Sequence, residues 1–125
     1  MGVEKFEDLE IWKFSREMVK SIYKITANIK DYGFANQIQK SSVSIMSNIS
    51  EGFERKGNKE FIHFLYIAKG SCGELRSQLY VALDLDYIAK DDFQNNLVLA
   101  ERISRSIAAL IKYLDSYNSN SNQKT

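Results

Sequence analysis

The sequence predicts an all-α fold, an antiparallel up-down-up-down four-helix bundle, on three observations. None of its 125 residues is proline, the strongest helix breaker. Turn-forming residues gather in three short clusters: Lys30 to Gly33, Arg55 to Asn58 and Asp86 to Asp91. Each of the four long segments between and around these clusters repeats its apolar residues every three or four positions, the period of a helix with one buried face. The expected helices cover about 8–30, 34–54, 58–86 and 91–116, forming one domain over residues 1–116 with a disordered polar tail at 117–125. Four helices with short connections pack most simply with sequence neighbours antiparallel, and the length suits a single core.

In the first segment Ile11, Phe14, Met18, Ile22, Ile25 and Ile29 fall within a narrow arc. Glu10, Lys13, Arg16, Glu17, Lys20 and Lys24 occupy the other side, so this is a surface helix. The second segment centres its apolar arc on Ile38, Ile45 and Ile49, with Val43, Met46 and Phe53 extending one edge. Opposite runs a polar stripe of Gln37, Ser41, Ser44, Asn48, Glu51 and Arg55. This stripe reads either as a solvated face carrying an intrahelical ion pair or as a polar seam against another helix or subunit.

The third segment carries a heptad-like stripe of Phe61, Leu65, Ala68, Cys72, Leu75, Leu79 and Ala82. Phe64, Ile67, Tyr80, Val81 and Leu85 spread apolar character around the rest of the helix. A helix apolar nearly all round is expected to be buried nearly all round, and a four-helix monomer cannot provide that, so a homo-oligomer is expected. Gly70, Gly73 and Ser77 lie on one side of this helix, where glycine costs about 1 kcal/mol relative to alanine. They mark the close approach of a second backbone, either a neighbouring helix of the same bundle or another subunit. The fourth segment repeats Phe93, Leu97, Ala100, Ile103, Ile107, Leu110, Ile111 and Leu114, and Asp91 with Gln94 reads as a capping box.

Candidate chemistry is sparse. Glu60 and His63 have the Glu-x-x-His spacing of a diiron bundle, but the chain has one histidine, and such a site needs the motif on two helices. His63 is therefore expected near solvent and Glu60 at the third helix's positive end. Cys72, the lone cysteine, sits in an apolar stripe, where a thiol packs as a small hydrophobe. Gly70 to Gly73 lacks the Lys-Ser/Thr and the preceding strand of a phosphate loop. No catalytic residue, metal or cofactor is expected.

A formal charge of +1 gives no global pull toward nucleic acid or membrane. Cations are segregated locally, however: Lys13, Arg16, Lys20 and Lys24 on the first helix, and Arg55, Lys56 and Lys59 at the second turn. Each reads as solubility charge or as a weak site for RNA or DNA phosphates, strengthened when an oligomer repeats it. With no apolar run of 18 residues and an acidic opening from Met1 to Asp8, the sequence predicts neither a membrane span nor a signal peptide. The expected location is the cytoplasm.

The stretch Ser41 to Gly52, with its core Ser47-Asn48-Ile49-Ser50-Glu51-Gly52, is followed by Glu60-Phe61, Phe64 to Ser71, Glu74-Leu75 and Gln78-Leu79. Together with the opening Asp8-Leu9-Glu10-Ile11-Trp12, these segments resemble the 23S ribosomal RNA intervening-sequence protein family, from about Phe6 to Leu114. The resemblance implies a small bacterial cytoplasmic protein forming a ring-like homopentamer of four-helix protomers. It also implies a distant likeness to the accessory variability determinants of diversity-generating retroelements, which bind nucleic acid and a reverse transcriptase. No catalytic residues come with it. Asn48, Glu51, Gly52, Glu60 and Glu74 carry over as family-motif residues without an assigned role. Relatives commonly have proline where this chain has Met46, so an unkinked second helix is expected here. Two functions follow: an oligomeric scaffold that binds structured RNA or DNA, or a module that docks a partner protein.

Overall fold

The computed structural model describes the backbone of residues 2–123 and the side chains of residues 2–117. A 3-10 turn at Phe6–Asp8 leads into α1 (Glu10–Thr26), α2 (Tyr32–Glu54), α3 (Asn58–Asp84) and α4 (Lys90–Gln123). Among the described residues there is no strand. The four expected helices are therefore present, with changes at their ends.

Helix α1 stops four residues before the expected end at 30. The Thr26 hydroxyl donates to the Ile22 carbonyl at 2.7 Å and accepts from Gln39 Nε2 at 3.0 Å, tying the last turn to α2. Ile29 lies beyond the helix yet stays buried, with its N–H on the Thr26 carbonyl. Helix α2 starts two residues early because the Asp31 carboxylate caps it, accepting the Phe34 N–H at 3.2 Å. It then continues unbroken through Met46. Gly57 turns the chain into α3 at φ +82°, a left-handed conformation that favours glycine. Asp86, at φ 57°, ends α3 short of its expected limit.

The capping box at Asp91 and Gln94 does not form. Helix α4 begins at Lys90, and the Phe93 N–H bonds the Ala89 carbonyl. Asp91 and Asp92 instead lie in the first turn, where their charges meet the helix's positive end. Helical backbone continues through Gln123, into the segment expected to be disordered. No glycine or proline interrupts it, and extending a formed helix costs far less than nucleating one. Lys124 and Thr125 lie outside the described residues.

Helix α1 packs on α2 and α4, and α3 packs on the same two; α1 and α3 stand diagonally across the core. Trp12 near the start of α1 bonds Ser50 near the end of α2, while Thr26 at the other end of α1 bonds Gln39. Met18, Ile22, Ile38, Ile45, Ile49, Leu65, Leu75, Leu79, Ile103 and Ile107 fill the centre and are fully buried. The expected stripe on α3, from Phe61 to Ala82, is buried throughout. Its remaining apolar residues are not: Ile67, Tyr80, Val81 and Leu85 are 41–52% exposed, and Tyr66 is 60% exposed. Within one chain, then, α3 buries one face only.

Candidate functional site

Two surfaces carry the candidate residues. The first is the seam between α2 and α3, formed by the polar stripe of α2. That stripe is not solvated along its whole length. Ser41 is 5% exposed, and the Ser44 hydroxyl meets the Ser71 hydroxyl of α3 at 2.9 Å. Asn48 Nδ2 donates to the Ser44 carbonyl at 2.8 Å and to its hydroxyl at 3.1 Å, fixing that hydroxyl toward α3. Val43, expected on the apolar edge, is instead 37% exposed.

Lower on the seam the helices pack tightly at Gly52. A Cβ built there would stand 2.6 Å from Phe64 Cβ and 3.1 Å from Phe61 Cδ1, separations at which hard-core repulsion dominates. Gly52, one of the motif residues without a role, is thus the close-approach glycine of the bundle. Beyond it Glu51 accepts from Arg55 Nη2 at 2.7 Å, and this hydrogen bond raises the Arg55 pKa further. The same guanidinium lies 5.1 Å from the centre of the Phe64 ring. The stripe therefore combines both readings: a seam in its middle, with Ser41 buried and Ser44 and Asn48 half-buried, and exposed residues at Gln37 and at the Glu51–Arg55 ion pair.

Glu60 and Glu74 of α3 are exposed, so three motif carboxylates (Glu51, Glu60 and Glu74) stand in solvent on α2 and α3. His63 is exposed one turn from Glu60. Cys72 is fully buried, and burial pushes its thiol up to about 12, so it holds no thiolate near neutral pH. Among the described residues no three His, Cys, Asp or Glu side chains gather to hold a metal ion.

Gly70 and Gly73 are exposed, and a Cβ at either would meet nothing within 4 Å. They are not the contact between helices of one bundle. Gly73 and Ser77 line a shallow groove with Arg76 and Tyr80 of α3 and Leu97 and Glu101 of α4.

The second surface is basic. Lys13, Arg16, Lys20 and Lys24 are all exposed on the outer side of α1, as are Lys56 and Lys59 at the α2–α3 turn. Among the described residues the one ion pair is Arg55 with Glu51, so the α1 cations face water without a carboxylate partner. Arg16 lies 5.9 Å from the centre of the Trp12 ring. Sequence reasoning missed Arg102: α4 brings its guanidinium over the Phe14 ring of α1, 4.2 Å from the ring centre. No sequence signal relates residues 14 and 102, because their proximity depends on the register of α4 against α1.

Among the described residues no helix is long and apolar enough to cross a membrane. No curated protein matches the chain. Among solved structures it is similar to a crystal structure from Bacteroides thetaiotaomicron, described as a protein of unknown function from the S23 ribosomal protein family. The TM-score is 0.77 at 25% identity, over 82% of this chain and 98% of that one. The family described as 23S rRNA-intervening sequence protein matches residues 7–109. With the α2–α3 motif residues inside that span and the four-helix fold shared, the chain belongs to the 23S rRNA-intervening sequence protein family.

Proposed function

We propose that this protein is a non-enzymatic scaffold of the cytoplasm, a ring-like homo-oligomer of up-down-up-down four-helix protomers, that binds structured RNA or DNA weakly through repeated basic patches. The observation that carries the nucleic-acid part is the row of exposed cations on α1, none of them within ion-pair distance of a carboxylate among the described residues. Phosphate binding grows with the number of contacts neutralised, so a patch too small to act alone gains strength when an oligomer repeats it. The exposed apolar face of α3, from Tyr66 and Ile67 to Tyr80 and Val81, supports self-association. By family resemblance the oligomer is a pentamer.

Filter binding of duplex RNA and DNA across a salt series tests the reading. Retention that falls steeply as salt rises supports it. No retention of either at low salt removes the nucleic-acid function.

A second reading, docking of a partner protein, is favoured by the convergence of motif residues on α2 and α3, with Glu51, Glu60 and Glu74 exposed. A stoichiometric partner recovered from nuclease-treated lysate, and lost with Glu74→Lys, selects this reading over the first.

A further inference from the structure

We propose that the basic surface extends from α1 onto α4 with Arg102 as its anchoring contact, and that it takes the sugar-phosphate backbone of a duplex in preference to unstacked bases. This inference rests on the nucleic-acid reading above and assigns the mode of binding and a residue outside the cation clusters.

The argument starts from what each cation must lose on binding. A lysine or arginine on a helix surface has many rotamers, and fixing one costs conformational entropy. Arg102 is exposed, yet its guanidinium already lies over the Phe14 ring at 4.2 Å. That cation–π contact restricts the side chain while leaving the planar fork's N–H donors free for phosphate oxygens. Arg102 therefore enters a complex with part of its ordering complete. Lys13, Lys20 and Lys24 are point charges without such a support, fit for backbone neutralisation without directional readout.

The choice of duplex backbone follows from the aromatic rings. Single-strand binding without sequence preference uses aromatic faces open to receive successive bases. Of the three rings on α1, Phe14 is covered by Arg102. Trp12 is half-buried, with Phe6 at 5.3 Å, Arg16 at 5.9 Å and its indole N–H bonded to Ser50. Beside the cation row only Tyr23, 47% exposed, is left, because the exposed rings of α4, Tyr113 and Tyr117, lie 11 and 15 residues along the helix from Arg102, and one ring does not make a stacking track. The cations from Lys13 to Lys24 span about 16 Å of helix at roughly 1.5 Å per residue. That length matches about five phosphates of one duplex strand at roughly 3.4 Å each along the axis. Glu10 and Glu17 share this side of α1 and hold the affinity low. They leave five cations facing two carboxylates.

The test is fluorescence anisotropy of the wild-type chain with a labelled blunt duplex and a labelled single strand of equal length, each across a salt series. The duplex is expected to bind more tightly. Arg102→Gln, a change at an exposed position, is expected to weaken duplex binding several-fold and lower the slope of log K against log salt by about 0.9. Phe14→Leu, checked by circular dichroism for an intact fold, is expected to weaken binding while keeping the slope, since the charge remains. Tighter binding of the single strand overturns the duplex assignment. If Arg102→Gln binds like wild type while Lys20→Gln is weakened, the anchoring role of Arg102 is wrong and the nucleic-acid reading survives. If wild type binds neither probe at low salt, that reading fails and this inference fails with it.

Discussion

The β-carbon that Gly52 lacks would stand 2.6 Å from the Cβ of Phe64, so the spacing of α2 and α3 depends on a missing methyl group. Gly52→Ala is expected to force the helices apart and destabilise the fold by about 1–3 kcal/mol, the range for overpacking a close-packed contact. Gly70→Ala is expected to act in the other direction. Its added methyl meets nothing within 4 Å, and alanine in an exposed helix is favoured by about 1 kcal/mol. Urea denaturation of both variants checks the pair. Equal effects at the two positions would show that helix propensity alone governs them.

Self-association is tested at Gly73. Because a side chain there has open space around it in one protomer, Gly73→Leu is expected to melt no lower than wild type as a folded protomer. If the α3 face is an interface, the same change lowers the assembled mass. Light scattering at micromolar concentration should give a multiple of 14.4 kDa for wild type and a smaller species for the variant. A wild-type mass of one protomer excludes assembly through this face.

Cys72 is expected to resist alkylation at pH 8 until the protein unfolds, since its thiol is buried and pushed up to about 12. The linkage has a definite sign. A folded pKa raised above the ordinary 9.0 leaves the contribution of Cys72 to stability intact below pH 9. Between pH 9 and about 12 the unfolded chain ionises and the folded one does not, which favours unfolding by about 1.4 kcal/mol per pH unit. Comparing wild type with Cys72→Ala over this range isolates the effect. Identical pH profiles would count against burial of the thiol.

Asp31 joins two loops at one end of the bundle. One carboxylate oxygen caps α2 through the Phe34 N–H, and the other accepts the Tyr87 hydroxyl at 2.8 Å. The Tyr87 ring packs against Phe34 with centroids 5.4 Å apart. The hydrogen bond to Asp31 raises the Tyr87 pKa, with burial and the Asp31 charge adding to it. The stability from this link is therefore present below the ordinary tyrosine range and lost as pH rises through the raised value. Asp31→Asn keeps a capping side chain and Tyr87→Phe keeps the ring. A double-mutant cycle is expected to show coupling between them; strict additivity would mean that the bond contributes nothing.

Much of the core was legible because burial leaves a period. Ile11, Met18, Ile22 and Ile29 were placed by spacing alone, as was the whole stripe from Phe61 to Ala82, and all are buried. The helix ends were less legible. Asp91 has the composition of a cap, but the Ala89 carbonyl, two positions earlier, takes the Phe93 N–H. Spacing does not tell the glycines of α2 and α3 apart: Gly52 meets Phe64 within the bundle, whereas a Cβ at Gly70 or Gly73 would face open space in one protomer, which leaves only the contact with another subunit for those two.

The sequence by itself determined the helical class, the four segments and one buried stripe on each, since these depend on residues a few positions apart along one helix. The tertiary structure decided which side chains meet across helices. Ser44 reaching Ser71, Gly52 under Phe64 and Arg102 over Phe14 are set by axial register and rotation between packed helices. That register follows from how whole faces interdigitate, a property that no local spacing in the chain encodes.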